Sequence, residues 1–357
     1  MPLGARSASL AEALDRRTRE GAEELTERLA GTDLRCYACG HRCLIHEGKR
    51  GICKVRFNER GRLLVPTGYV AARACDPTEK KPFFHLLPGS DTLTFGMLGC
   101  DLHCNYCQNW LTSQALRDDA AGTAPRSVSA ERLVEMAREC GARVVGSSYN
   151  EPLITAEWAV EVFQKAKPEG FKTAFISNGN ATPQVLDYLR PWTDCYKIDL
   201  KTMSDRGYRQ LGGVVGNILD TVGMVHERGF WEEIVTLVVP GFNDSDDELK
   251  RAAEFIASVS PDIPWHVTAF HQDYKMTENA NTTAEQLVRA CETGRAAGLR
   301  FVYAGNLPGR VGRWENTYCP ACDELLIERY GYVIRKMRLG ADGLCPACGE
   351  KIPGVWE

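Results

Sequence analysis

Between residues 91 and 305, short apolar or β-branched runs alternate with helical patterns. The strand candidates are 92–99, 144–150, 172–178, 195–200, 233–240, 265–270 and 301–305. Amphipathic helices lie between them. One carries Leu133, Met136, Ala137 and Cys140 at helical spacing. Another carries Leu249, Ala252, Ala253 and Ile256 behind a Ser245/Glu248 capping box, and a third opens on Thr283 and Gln286. Near-continuous apolar strands need cover on both faces, and a strand–helix repeat supplies it. The segment therefore predicts an α/β fold with a parallel sheet. Six or seven units suit a partial (β/α)6-type barrel better than a closed eightfold one. A doubly wound sheet is the structural alternative.

The flanks read differently. Residues 1–35 form one segment, with an amphipathic helix expected over 9–30 on a stripe of Leu10, Leu14, Ala22, Leu25 and Leu29. Residues 36–90 are rich in Cys, Gly, Pro and charge. Too few apolar residues lie there for a separate core, so metal ligation would supply the missing folding energy. Residues 306–357 form a mini-domain around two Cys-Pro-Ala-Cys knuckles.

The chain has 357 residues and 15 cysteines, and its charged N-terminus has no apolar core of the signal-peptide kind. An odd cysteine count without an export signal points to metal or redox chemistry in the cytoplasm rather than a disulfide framework. Cys36, Cys39, Cys43 and Cys53 form one group. Cys100, Cys104 and Cys107 form a second, and Cys319, Cys322, Cys345 and Cys348 a third; Cys75, Cys140, Cys195 and Cys291 stand alone. The two C-terminal CxxC pairs have the form of a zinc ribbon or rubredoxin-like site, with zinc the first choice and iron the second. The N-terminal four, with His41 and His46 nearby, leave zinc and an auxiliary iron–sulfur cluster both open.

The central group has the spacing C-x3-C-x2-C directly after the first barrel strand. Three thiolates can hold three irons of a [4Fe–4S] cube and leave the fourth open, as a catalytic metal site requires. A zinc site with a fourth ligand from His103 or elsewhere is the competing reading. With Tyr106 before the last cysteine, the loop resembles the signature of radical S-adenosylmethionine (radical SAM) enzymes. The resemblance implies that S-adenosylmethionine chelates the open iron. One electron then cleaves its sulfonium bond, and the 5′-deoxyadenosyl radical abstracts hydrogen from a substrate. A low-potential donor of flavodoxin or ferredoxin type is implied as partner.

The resemblance extends to cofactor contacts. Tyr149, Asn150 and Glu151, before Pro152, are similar to the family's second motif, where a carboxylate or carbonyl receives the methionine ammonium. Ser177 and Asn178 are similar to its polar loop near ribose and carboxylate. Asp199 and Lys201 resemble the DLK motif of glycyl-radical-enzyme activases such as pyruvate formate-lyase activating enzyme. Val239 lies in a segment resembling the adenine-packing strand, and His271 where a polar residue overlies the cofactor. Each has a plainer reading: Glu151 as a helix cap, Asn178-Gly179 as a turn, Asp199 and Lys201 as an ion pair, His271 as a loop histidine. The segments 47–53, 76–82, 107–110 and 315–319 resemble the radical SAM component of the AmmeMemoRadiSam system, whose usual ligand set does not include Cys75.

Two other classes compete: a zinc-ribbon binding module using Arg329, Arg335, Lys336 and Arg338, and an iron–sulfur electron carrier. The first sits poorly with a net charge of −4, the second with a missing fourth ligand. Nucleic acid is not an expected partner, and no stretch approaches the roughly 20 apolar residues of a membrane span. A protein or peptide substrate and a small molecule are both open.

Overall fold

A computed structural model describes residues 9–357. One eight-stranded sheet dominates it. In chain order its strands are β1 (Ala72–Pro77), β2 (Asp91–Gly96), β3 (Val144–Ser147), β4 (Lys172–Ser177), β5 (Cys195–Asp199), β6 (Trp231–Val238), β7 (Trp265–Ala269) and β8 (Val302–Gly305). β2 to β8 run parallel and lie side by side in sequence order, while β1 pairs antiparallel with β2 at one edge. A doubly wound sheet would reverse its strand order partway. This one never does, and its edges β1 and β8 do not meet, so it is a partial barrel.

Helices cover the outer face. Helix Ala130–Glu139 buries Leu133, Val134 and Ala137. Helix Asp246–Val259 buries Leu249, Ala252, Ala253 and Ile256. Helix Ala284–Ala296 opens on the expected Thr283/Gln286 capping box, and a methyl on its Gly294 would sit 2.9 Å from the Trp265 ring. At Ser245 only half the expected box forms: its hydroxyl accepts from Glu248 N, but the Glu248 carboxylate turns to Thr202 and Met203.

The expected helix over 9–30 stops at Asp15, and residues 1–8 lie outside the described part. The apolar stripe skips position 18, where Thr18–Glu20 instead pairs with Arg62–Pro66. Gly21 donates to Leu63 O at 2.7 Å, and a methyl there would meet Val65 at 3.0 Å. Sheet pairing over an apolar patch thus overrides helical propensity. At the start of the Cys-rich extension, Leu34–Cys36 pairs with Thr26–Arg28 and Leu44–Ile45.

The C-terminal mini-domain is a three-stranded antiparallel sheet, Thr317–Tyr318, Leu325–Tyr330 and Val333–Met337. Arg329, proposed above as part of a basic surface, is instead 4% exposed. Its guanidinium donates to Phe84 O and Thr317 Oγ1, both at 2.8 Å, and lies over the Phe84 ring. One of the four cations of the binding-module reading is thus in the core, while Arg335, Lys336 and Arg338 stay exposed.

Candidate functional site

The C-terminal ends of β2 to β5 deliver their loops to one face, around a cavity of about 380 Å³. Cys100, Cys104 and Cys107 line it, with Tyr106, Tyr149, Asn150, Glu151, Ser177, Asn178, Asp199 and Lys201. Eleven residues from four segments of sequence therefore meet at one cavity.

The cysteine loop is held tightly. Gly99 turns it with φ +95°, a conformation that suits glycine, and a methyl there would meet Val55 at 2.9 Å. Arg117 donates to Cys100 O at 2.7 Å and Leu102 O at 2.9 Å. The Cys107 Sγ lies 3.2 Å from Ser113 Oγ, and Leu102 N donates to Cys100 Sγ at 3.3 Å. Burial pushes all three thiols up, Cys104 to about 12. Ligation must therefore displace three protons, which makes metal loading easier as pH rises.

Among the described residues, the three thiols and His103 do not converge on a single ion. His103 is exposed and packs against Gly212. The zinc reading of this loop therefore lacks its geometry. The C-terminal four behave oppositely: all four sulfurs lie within 4.8 Å of one another. Cys319–Cys348 and Cys322–Cys345 are separated by 3.6 and 3.7 Å, close to the roughly 3.8 Å that a tetrahedral zinc with 2.3 Å bonds demands.

Glu151 is the best-anchored polar group. Its carboxylate accepts from Ser177 Oγ at 2.7 Å, Asn178 N at 2.7 Å and Leu153 N at 3.1 Å. Burial, then the neighbouring Asp101 carboxylate, push its pKa up to about 8. Tyr149 beside it takes the left-handed backbone, φ +69°, and its hydroxyl meets Lys81 Nζ at 3.2 Å. Asn150 Oδ1 accepts from Met97 N at 3.0 Å, tying this loop to the cysteine loop. Asp199 is bracketed by Lys197 and by Lys201 at 3.5 Å. Burial alone would raise its carboxyl, but these two cations hold it below the usual range.

Two expected contacts fall outside. Val239 is fully buried behind the cysteine loop, and Val235 and Leu237 line the cavity in its place. His271 is exposed and touches the cavity wall only through Gln108, at 3.0 Å. Conversely, sequence reasoning missed Asp101, Lys197, Lys81 and Tyr332. Asp101 is completely buried and accepts from Nδ2 of both Asn178 and Asn180 at 2.7 Å. Its place between Cys100 and Cys104 was the available signal. Cys75, read as a bystander, forms a disulfide with Cys140, 65 residues away.

None of the four N-terminal cysteines lines the cavity. Burial pushes the Cys39 thiol up, and neighbouring Asp101, Cys36 and Cys53 add to it. Burial would lower the Arg56 guanidinium, but Cys36, Glu157 and Cys53 outweigh that and hold it above the usual arginine value. His41 faces Asp101 rather than a metal, with Nε2 3.2 Å from its backbone oxygen, and His46 pairs with Asp33 at 2.8 Å.

Residues 95–256 match the model of the radical SAM superfamily. The chain belongs to that superfamily, and its relation is to the glycyl-radical activases. It is 35% identical over 329 residues to the uncharacterized protein MJ0808 of Methanocaldococcus jannaschii, covering 91% of this chain and 97% of that one. It is 28% identical to the pyruvate formate-lyase 1-activating enzyme of Escherichia coli K12, over 54% of this chain and 80% of that enzyme. Among solved structures, a radical SAM methyltransferase from Sphaerobacter thermophilus superposes with a TM-score of 0.47 at 18% identity, over 67% of this chain and 71% of that one. Superfamily membership carries reductive cleavage of S-adenosylmethionine at an iron–sulfur cluster. The residues present fit that group: one buried thiol, Cys104, and two half-buried ones, Cys100 and Cys107, line one cavity wall without closing on one ion. No helix among the described residues is long and apolar enough to cross a membrane.

Proposed function

We propose that this chain is a radical SAM enzyme of activase-like type, with Cys100, Cys104 and Cys107 as ligands of its catalytic [4Fe–4S] cluster. The observation that carries this reading is a set of three non-convergent thiols opposite a triply hydrogen-bonded Glu151 in one cavity. When bound and reduced, the cluster and S-adenosylmethionine together supply a 5′-deoxyadenosyl radical. The protein's own residues bind, orient and protect. Glu151, ionised, receives the methionine ammonium, with Tyr149 and Asn150 shaping its loop. Ser177 and Asn178 fix the Glu151 rotamer. Lys201 and Lys197 hold Asp199 ionised beside the cavity. Tyr106, 5.7 Å from the Phe242 ring, and the fully buried Val239 close the apolar side behind the cysteines and keep water out.

Lys80 and Lys81 line the outer cavity, and Tyr332 reaches it from the mini-domain. These positions, with segment 76–82, support membership of the AmmeMemoRadiSam-type subfamily, acting on a protein, peptide or small molecule. The C-terminal four cysteines take zinc, with iron second. A low-potential flavodoxin or ferredoxin completes the scheme in the cytoplasm.

The test is anaerobic reconstitution followed by S-adenosylmethionine and dithionite. Wild type should yield 5′-deoxyadenosine and methionine, and the triple Cys100/Cys104/Cys107→Ala variant none. A fully iron-loaded wild type that cleaves nothing would refute the reading.

A further inference from the structure

The extension carrying Cys36, Cys39, Cys43 and Cys53 is fastened directly to the catalytic loop by three independent contacts. Arg117, which holds Cys100 O and Leu102 O, also donates to Ile52 O at 2.7 Å, one residue before Cys53. Gly99, one residue before Cys100, packs so closely on Cys53 that an added methyl would lie 3.2 Å from its backbone oxygen. His41 bridges from the turn after Cys39 to Asp101 O at 3.2 Å. Gly40 N donates to Asn180 O at 2.7 Å, and Asn180 in turn binds Asp101.

Within the extension the chain folds the four cysteines toward one another. Cys36 N donates to Cys43 O at 3.0 Å across a strand pair, and Ile52 N donates to Cys43 Sγ at 3.4 Å. Leu34, Ala38, Ile45, Leu63 and Val65 enclose Cys36 and Cys43 in apolar contact, and Val55 and Ile154 enclose Cys53. Beside them lies Arg56, 1% exposed and paired with the equally buried Glu157. Yet, unlike the C-terminal four, no three of these sulfurs lie mutually within 4.8 Å. One tetrahedral ion draws four sulfurs to about 3.8 Å. A cube offers each thiolate its own iron and so keeps them farther apart.

We propose that Cys36, Cys39, Cys43 and Cys53 hold a second, fully ligated iron–sulfur cluster seated against the catalytic loop, with Asp101 and His41 between the two sites. This rests on the reading of Cys100, Cys104 and Cys107 as cluster ligands. Four protein ligands leave no open iron, so the second cluster exchanges electrons only. It takes one electron from the low-potential donor and passes it to the catalytic cluster, which moves from the 2+ to the 1+ state.

The experiment uses the full chain, reconstituted anaerobically, as wild type, as the triple Cys100/Cys104/Cys107→Ala variant and as Cys43→Ser with Cys53→Ser. Iron, sulfide and zinc are counted and reduced samples examined by electron paramagnetic resonance. Wild type should hold about eight cluster irons and show a spectrum broadened by spin–spin coupling. Each variant should keep about four and give an uncoupled signal. The triple variant leaves the extension intact, so it reports on the second site even if the Cys43/Cys53 variant fails to fold. Zinc, or fewer than about two irons, at the extension in the triple variant would overturn the proposal. Loss of iron from wild type's catalytic loop alone would instead sink the reading it rests on, because the triple variant and wild type would then carry equal iron.

Discussion

Replacing Arg56 by Met tests how the extension is anchored. The Arg56 guanidinium donates to both Glu157 oxygens, at 2.7 and 2.8 Å, and to Ile154 O at 3.2 Å. The two side chains are 1% and 2% exposed. In wild type, burial would raise the Glu157 carboxyl, but Arg56 holds it below its ordinary value. Without Arg56 the carboxylate keeps a single 3.3 Å bond from Ala22 N. Removing one partner of such a pair costs about 3–5 kcal/mol, because the other charge stays buried and unpaired. The sign with pH should invert. Wild-type Glu157 contributes stability present above pH 4.5 and lost as pH falls through its depressed native value. In Arg56→Met burial should carry its native pKa above 4.5, so the Glu157 contribution is then present below pH 4.5 and lost as pH rises through the raised value. The assay is anaerobic urea unfolding at several pH values, with hydrogen exchange at Thr18–Glu20 and Arg62–Pro66 as local readout. The double variant Arg56→Met, Glu157→Leu should recover most of the loss. A single variant within about 1 kcal/mol of wild type, with unchanged pH slope, would refute the argument.

Glu151→Gln should weaken S-adenosylmethionine binding by roughly 10- to 100-fold in calorimetry, the worth of a charged hydrogen bond, while cluster content stays constant. Because its carboxyl titrates near 8 when unliganded, wild-type affinity should climb as pH rises through 8 and the variant's should stay flat. The same raised value means that Glu151 stabilises the unliganded fold below pH 4.5 and that this contribution is lost as pH rises toward 8. Cys75→Ala should cost about 2–4 kcal/mol in oxidised protein and nothing under dithiothreitol, since the 65-residue loop is closed only by the disulfide. Removing the C-terminal ion with a thiol-specific chelator should release one equivalent of metal. It should also change Trp356 fluorescence, because that ring packs on the cluster containing Cys319 and Cys345.

All seven parallel strands were legible because each is buried on both faces and reads as an apolar run: Val144–Ser147 is buried at every position, and so is Trp265–Ala269. The C-terminal four-cysteine group was legible because its members fall in two short CxxC units. What failed was long-range. The stripe through Leu10 and Leu25 has helical spacing, and only pairing with Arg62–Pro66, more than 40 residues on, breaks it. The Cys75–Cys140 bond spans 65 residues with no spacing rule to announce it. Arg329 belongs to a basic run by sequence and to the core by topology, because the mini-domain folds back onto Phe84.

The site's own logic follows from the unbroken strand order. Loops after consecutive parallel strands are neighbours in space, so the β3 loop can place Glu151 against Ser177 and Asn178 of the β4 loop. Asn178 then reaches back with its side chain to Asp101 of the β2 loop, and its backbone N–H holds Glu151. Three loops are thus locked by one residue that offers two donors in opposite directions. Asn178→Ala keeps the backbone donor and deletes the side-chain one. Asp101 would keep Asn180, the Cys100 thiol and His41 but lose one of its two amide donors, about 1–3 kcal/mol for a buried charged acceptor. The cysteine loop should therefore loosen while the Glu151 carboxylate stays in place, and cluster retention should fall before S-adenosylmethionine affinity does. Equal loss of both would mean that the loops are not coupled through this side chain.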